Sequence, residues 1–238
     1  MHEQLQQPKH PRLLLVAHGT RSTVGLQTTR ELRDAVGAAR PGTLVELCYL
    51  DVVDPRLADV LATDDRPAVI VPALLSTGFH VQHDIPEAIG DRPSTLLARH
   101  LGPHPLLVEA MFDRLPAGAA SAVNAASAAV ALVGAGSTRP EARTELDEVA
   151  RLIGERTGAT VPVFTMADDL PAELSALARP LQVLTYLLAE GQFVTTLRDA
   201  ADELTEVGDP IGVHPAVVEL VWSRYDEALA QNRVDAVG

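Results

Sequence analysis

The sequence predicts an α/β protein built from two tandem repeated lobes, each with a mainly parallel sheet flanked by helices. Three observations lead to this prediction: short apolar runs alternate with helical patterns, the order of elements occurs twice, and the two occurrences match residue by residue. The 238 residues can bury one large core or two of ordinary size. With 47% hydrophobic and 21% charged residues, the composition is typical of a globular protein.

The first half predicts three strands and two helices. The strands are expected at Leu13–Ala17, Leu44–Leu50 and Ala68–Leu75, because these runs are short, apolar and bounded by Pro, Gly or charged residues. Helical patterns near Val24–Ala39 and Pro55–Ala62 lie between them. Such alternation predicts βαβ units with right-handed crossovers.

The second half repeats this order of elements. Its predicted elements are a strand at Ala129–Gly134, a helix at Pro140–Thr157, a strand at Thr160–Met166, a helix from Pro171 and a strand at Leu181–Leu188. The residues of the two copies match as well. LLSTGFHV (Leu74–Val81) corresponds to LLAEGQFV (Leu187–Val194). LGPHPLLVEAMFDR (Leu101–Arg114) corresponds to IGVHPAVVELVWSR (Ile211–Arg224). We therefore predict a first lobe over residues 12–115, a linker over 116–128 and a degenerate second lobe over 129–231.

The two copies differ in the polar residues at the ends of the predicted strands. The pairs are His18 with Ala135, Asp51 with Ala167, and His80 with Phe193. In an open parallel sheet, ligands bind outside the carboxyl ends of the strands, so the three polar side chains are expected to converge. Two imidazoles and a carboxylate suit iron, cobalt or zinc. The sequence thus predicts one metal-type site per chain, in the first lobe.

Charge and composition exclude several classes of function. A net charge of −13 argues against nucleic acid as a partner, and residues 1–118 carry −3 against −10 for residues 119–238. An anionic ligand is therefore repelled less by the first half. The chain shows neither a membrane span nor a signal-peptide core, so a cytoplasmic protein is expected. Cys48, the single cysteine, excludes an internal disulfide and a multi-cysteine metal site.

No nucleotide site is predicted. VGAGSTR (Val133–Arg139) follows a strand and opens a helix like a dinucleotide fingerprint, but Arg139 occupies the third glycine position. The only lysine, Lys9, lies in the tail, which excludes a Walker A loop. A strand-end His-Gly also occurs in the histidine phosphatases, although Ala17 stands where that family has Arg. A hydrolase built around His18 stays open as one hypothesis.

Three segments resemble the class II chelatases, specifically the sirohydrochlorin chelatase family. They are AHGTR (Ala17–Arg21), YLDVVDP (Tyr49–Pro55) and PALLSTGFHVQHDIP (Pro72–Pro86), and the resemblance extends from about Leu13 to Leu229. It implies a two-lobed, ATP-independent chelatase that inserts Fe²⁺ or Co²⁺, as substrate, into an acidic tetrapyrrole. Iron insertion in sirohaem synthesis is the favoured expectation, and cobalt insertion in cobalamin synthesis is the alternative. A non-catalytic carrier of tetrapyrrole or metal is a hypothesis of another class.

The resemblance also assigns residue roles. It maps the family's two active-site histidines onto His18 and His80, as metal ligands and proton acceptors, and its acidic residue onto Asp51. Members commonly have Glu there, so the shorter Asp51 either ligates the metal or only orients and relays. His83 either supplements the metal site or is a surface histidine. The candidate donors to substrate carboxylates are Thr20, Arg21, Ser22, Ser76 and Gly78. The sequence does not predict the oligomeric state.

Overall fold

The structure is a computed structural model that describes residues 10–124, 126–137 and 139–235, the side chains of His80 and Asp235 excepted. The described chain forms two sheets of four parallel strands each, and helices flank both sheets. The predicted α/β class with two tandem lobes is therefore confirmed. Among the described residues, no helix is long and apolar enough to cross a membrane.

Lobe one has the strand order β2-β1-β3-β4, so β1 lies in the centre with β2 and β3 on its two sides. The strands are β1 (Arg12–Ala17), β2 (Val45–Tyr49), β3 (Ala68–Pro72) and β4 (Thr95–Leu97). The helices are α1 (Thr23–Ala39), α2 (Leu57–Thr63), α3 (Ile85–Ile89) and α4 (Pro105–Asp113), and a π-helical turn (His80–Asp84) leads into α3. β1 is buried at every position, which explains why Leu13–Ala17 is apolar without alternation.

Lobe two repeats the same order as β6-β5-β7-β8. Its strands are β5 (Ala129–Gly134), β6 (Val163–Thr165), β7 (Leu181–Tyr186) and β8 (Thr205–Val207). The helices are α6 (Pro140–Thr157), α7 (Leu170–Ser175), α8 (Gln192–Ala200) and α9 (Pro215–Asp235), and α5 (Ala119–Asn124) lies in the segment that joins the lobes.

The structure differs from the sequence expectations at the ends of the strands. β3 stops at Pro72 instead of Leu75, because residues 73–79 leave the sheet as a loop. β6 is likewise shorter than the predicted Thr160–Met166, as an edge strand that pairs only with β5. Each lobe also contains an unpredicted edge strand of three residues, β4 and β8. Such short runs carry too little apolar periodicity to be recognised in the sequence.

The last helix of each repeat packs on the opposite lobe. Helix α4 contacts β7 and α6 of lobe two, and α9 contacts α1, β3 and β4 of lobe one. One continuous apolar core results, in which Leu13 of β1, Leu132 of β5 and Trp222 of α9 belong to the same cluster. The exchange therefore joins the two lobes through their cores.

Two arginines that correspond in the repeat secure this exchange. Arg114 donates hydrogen bonds to the carbonyls of Ile211 and Val213, and Arg224 donates to those of His100 and Leu101. Each guanidinium thus satisfies backbone carbonyls of the opposite repeat. In both repeats, these carbonyls lie just before the helix that begins at the proline of the His-Pro pair. The matched arginines seen in the sequence have a matched structural role.

Candidate active site

A cavity of about 730 Å³ lies between the lobes, at the carboxyl ends of the central strands. Lobe one lines it with residues 17–20 after β1 and residues 73–79 after β3, and lobe two with residues 135–137 and 186–193. This volume falls within the usual range of small-molecule sites, roughly 300–1,000 Å³. The strand-end position is where parallel sheets bind ligands.

His18 lines this cavity directly after β1. Its Nδ1 lies 3.2 Å from the carbonyl oxygen of Gly19. When Nδ1 carries the proton, it donates to that carbonyl, and the lone pair of the ring then belongs to Nε2. This tautomer makes Nε2 the atom that can bind a metal ion or accept a proton.

Gly19 allows the loops after β1 and β2 to approach each other. Its φ is +98°, and a Cβ atom there would collide with the carbonyl oxygen of Asp51. The same loops are joined by the Asp51 amide, which donates to the His18 carbonyl at 3.0 Å. A glycine after the strand-end histidine is therefore required by backbone geometry.

Asp51 follows β2 beside His18, but its carboxylate does not line the cavity. Oδ1 accepts hydrogen bonds from the Val52 amide at 2.7 Å and from Arg56 at 3.2 Å. The bond from Val52 lowers the pKa of Asp51, and the charge of Arg56 lowers it further. The structure places this carboxylate in the loop that holds Val52 at a positive φ of 71°.

His80 begins the π-helical turn, between the cavity-lining residues Phe79 and Val81. Its side chain lies outside the described part of the structure, so only its backbone is placed. His83 is exposed and does not line the cavity; its ring stacks on Phe79 with centroids 4.7 Å apart. Among the described side chains, no three His, Cys, Asp or Glu residues lie close enough to hold a metal ion. A metal site formed by His18 with His80 stays a prediction.

The five candidate substrate donors separate into two groups. Thr20, Ser76 and Gly78 line the cavity, whereas Arg21 and Ser22 do not. The Ser22 hydroxyl accepts a hydrogen bond from the Gly25 amide and thereby caps α1. Thr20 accepts from the Ser22 amide, so part of its hydrogen-bonding capacity stabilises the same turn.

Two aromatic residues were not predicted to form part of the candidate site. Phe79 of lobe one is 55% exposed and Phe193 of lobe two is 50% exposed, and both line the cavity. Across the lobes, the Arg139 guanidinium lies 5.9 Å from the Phe79 ring centroid. Only 3% of the residues are aromatic, so two exposed phenylalanines at one cavity indicate an apolar surface for a ligand.

A second missed feature is that lobe two binds the backbone of the loop over residues 73–79, which we call the β3–π loop. The Tyr186 hydroxyl donates to the Leu75 carbonyl at 2.8 Å. The Thr77 amide donates to Oε2 of Glu145 at 2.5 Å, and the other oxygen, Oε1, lies 3.0 Å from Nε2 of His100. No local sequence pattern marks these contacts, because the partners are 45 to 111 residues apart.

Comparison with known proteins gives a family match across both lobes. The model of the CbiX family matches residues 12–117 and again residues 129–228. The two matched segments agree with the tandem repeat and together cover most of the chain.

Individual relatives are more distant. The chain is 24% identical to the sirohydrochlorin cobaltochelatase of Priestia megaterium over 91% of this chain and 79% of that protein. It is 24% identical to the sirohydrochlorin ferrochelatase of Bacillus subtilis over 92% of each. The structure of SirB from Bacillus subtilis with Fe³⁺ is similar with a TM-score of 0.78 at 22% identity, covering 94% of this chain and 97% of SirB. SirB from the subspecies spizizenii, in complex with cobalt, gives 0.74 at 21% identity over 92% of this chain and 94% of that one.

Proposed function

Since the chain belongs to the CbiX family, we propose that it is a sirohydrochlorin chelatase, which inserts a divalent metal ion into sirohydrochlorin without ATP. The observation that carries the proposal is the cavity between the lobes, with His18 on one wall and exposed phenylalanines from both lobes. The names of the relatives support the substrate, because they include both sirohydrochlorin cobaltochelatases and ferrochelatases.

Fe²⁺ is the favoured metal in this proposal, with sirohaem as the end product. The alternative is Co²⁺ and cobalamin synthesis. Imidazole ligands accept both ions, and structures of SirB have been determined with iron and with cobalt. The choice of metal therefore requires a direct comparison of rates.

The residues that line the cavity suit a tetrapyrrole. Phe79 and Phe193 can pack on the faces of the macrocycle, and the alanine at position 135 leaves room on the lobe-two wall. The peripheral carboxylates of the substrate need donors, which Thr20, Ser76 and the backbone at Gly78 supply along lobe one. Arg139 adds a positive charge beside Phe79 from the opposite lobe.

The reaction replaces both pyrrole N–H protons by the metal ion, so protons must leave as the metal enters. In our proposal, Nε2 of His18 holds the metal or accepts a proton, and His80 is its partner from the π-helical turn. Both roles need a neutral imidazole, so protonation of the ring opposes them. Asp51 acts from outside the cavity, by holding the loop beside His18.

The test is an anaerobic absorption assay with purified protein, sirohydrochlorin, and Fe²⁺ or Co²⁺. We expect wild-type protein to insert at least one metal well above the uncatalysed rate, and His18→Ala and His80→Ala to lose at least about tenfold in kcat. His10→Ala is the matched control, because His10 is exposed and does not line the cavity. Bound sirohydrochlorin without turnover would favour the carrier, and phosphoester hydrolysis that depends on His18 would favour the hydrolase.

A further inference from the structure

Glu145 of α6 reaches across the cleft to the backbone of lobe one. Its Oε2 accepts the hydrogen of the Thr77 amide at 2.5 Å, within the β3–π loop, three residues before the π-helical turn begins at His80. Thr77 is itself buried and lines the cavity. The carboxylate therefore fixes the backbone at the point where the loop turns toward the candidate site.

Glu145 is a partly buried carboxylate with a partner at each oxygen. Its side chain is 20% exposed, and that of His100, which contacts the other carboxylate oxygen, is 11% exposed. A carboxylate that is withdrawn from water to this degree persists only with hydrogen-bonding partners. Without the carboxylate, in turn, the buried Thr77 amide would lose its acceptor, which is costly for a backbone donor.

Tyr186 provides a second anchor for the same loop. Burial raises the pKa of Tyr186, and the nearby Glu145 carboxylate raises it further, so the phenol stays protonated and donates to the Leu75 carbonyl. A Cβ atom at Gly102 would collide with both the Tyr186 hydroxyl and the Leu75 carbonyl oxygen, so the contact is closely packed. Lobe two therefore holds the β3–π loop at two backbone groups.

Among the described residues, the corresponding positions of lobe one form no such anchor to lobe two. The buried positions of α1 and α6 align through the pairs Gly25–Ala142, Thr29–Leu146, Leu32–Val149 and Val36–Ile153. This register sets Thr28 opposite Glu145, and the Thr28 hydroxyl donates to the Val24 carbonyl of its own helix. The residue opposite Thr77 is Glu190, which pairs with Arg198 inside lobe two. Lobe two thus lacks counterparts of His18, Asp51 and His80 but carries a carboxylate that binds the loop of lobe one.

We propose that Glu145 is a positioning residue of the candidate active site, which acts through the Thr77 amide to hold the β3–π loop and thereby fixes the backbone that leads into His80. The catalytic consequence rests on the proposed chelatase function. The role of the degenerate lobe is then to position the loop of the lobe that carries the histidines, in addition to closing the cavity.

The first test compares two substitutions at one position with a control on the same helix. Glu145→Ala removes the acceptor, whereas Glu145→Gln keeps an amide oxygen that can accept the Thr77 hydrogen. Glu148→Ala is the control, since Glu148 pairs with Arg151 on the surface. For each variant, kcat, KM for sirohydrochlorin and Tm are measured with Fe²⁺ and with Co²⁺.

We expect Glu145→Ala to lower kcat at least about tenfold while KM changes less than about threefold, since a misplaced group slows the chemical step more than binding. Glu145→Gln should keep kcat within about threefold of wild type because the hydrogen bond persists. Unchanged kcat in folded Glu145→Ala would overturn the proposal. So would an equal loss of kcat in Glu145→Gln and Glu145→Ala, because the charge and not the anchor would then be responsible.

The second test does not depend on activity. Amide hydrogen exchange of the peptide over residues 74–82 is followed by mass spectrometry in wild type, Glu145→Gln and Glu145→Ala. Exchange at this peptide should be at least about tenfold faster in Glu145→Ala alone, with β1 unchanged. Equal exchange in all three proteins would overturn the anchor. If wild-type protein proves inactive with both metals but exchange responds as expected, the proposed function fails and the anchor of the loop stands.

Discussion

The indole N–H of Trp222 donates to the carbonyl of Val36 at 3.1 Å, and the two residues are 186 positions apart. Trp222 lies on α9 of the second repeat and Val36 on α1 of the first, so the contact belongs to the helix exchange. Arg40 completes it: its guanidinium lies 4.4 Å from a Trp222 ring centroid and forms two hydrogen bonds with Asp226. Helix α9 of the second repeat therefore packs over lobe one.

This exchange predicts that Trp222→Ala destabilises the whole protein. The substitution removes a buried ring and leaves a buried carbonyl without its donor, at an expected cost of about 3–5 kcal/mol. The free energy of unfolding is measured by urea denaturation followed by circular dichroism. Val234→Ala is the control, since Val234 is an exposed residue at the end of the same helix. A loss below about 1 kcal/mol for Trp222→Ala would contradict the role given to the exchange.

Asp51→Ala is predicted to reduce kcat by less than about threefold, whereas His18→Ala reduces it at least about tenfold. The reason is geometric: the Asp51 carboxylate accepts from Val52 and Arg56 and does not line the cavity. Steady-state rates of metal insertion measure the difference. Asp51→Asn is the control, because its amide oxygen still accepts the Val52 hydrogen. If Asp51→Ala lost as much activity as His18→Ala, the carboxylate would have a direct role in the reaction.

Phe79→Ala and Phe193→Ala are each predicted to weaken binding of the tetrapyrrole by about 3–10-fold, which corresponds to the usual energy of an aromatic contact. We expect kcat to change less than about twofold, since neither ring carries a proton or a metal ligand. Fluorescence or absorption titration with sirohydrochlorin gives Kd, and the insertion assay gives kcat. Leu204→Ala controls for loss of an exposed apolar residue outside the cavity. Unchanged Kd in both phenylalanine variants would exclude stacking on the macrocycle.

His104 predicts a pH dependence of stability. Its Nδ1 accepts the Leu106 amide at 3.2 Å and caps α4, which a protonated ring cannot do. Burial lowers the pKa of His104, and the Arg224 charge lowers it further. The unfolded chain therefore binds the proton more readily than the folded protein. The stabilising contribution is complete above the ordinary value of 6.5 and is lost as the pH falls below it.

Thermal unfolding at about pH 7.5 and pH 5 measures this effect. Between these two pH values, the Tm of wild type should fall by roughly 1–2 °C more than that of His104→Asn. The reason is that asparagine caps a helix without titrating. The difference is small because the ring is only partly buried. His10→Asn is the control at an exposed histidine. An equal fall in Tm for wild type and His104→Asn would contradict the assignment.

The sequence predicted the architecture well because its evidence is local and repeated. β1, β2 and β5 are predominantly apolar runs, and the structure places them within one residue of the expected bounds. α1 and α6 were equally clear, since each has an apolar stripe of helical period. β4 and β8 were missed because three-residue edge strands take their stability from the neighbouring strand.

The candidate site was predicted in part. His18 lines the cavity as expected from its strand end, and so do Thr20, Ser76 and Gly78. Asp51 also follows its strand, but its carboxylate accepts hydrogen bonds from Val52 and Arg56. A position at the end of a strand does not specify the rotamer or the hydrogen-bonding partners of a side chain. Phe79, Glu145 and Tyr186 were not predicted, because their roles depend on contacts between the lobes.

Apolar periodicity and residue identity are local properties, so the sequence was enough to predict a repeat of two α/β lobes in which only the first has a histidine at its strand ends. The folded chain was needed to see that α4 and α9 pack on the opposite lobes, that Trp222 bonds to Val36, and that Glu145 holds the loop before His80. The last two contacts join residues that are 186 and 68 positions apart. These contacts form because the two apolar cores merge and the buried backbone groups then need hydrogen-bonding partners. No short stretch of sequence contains that information.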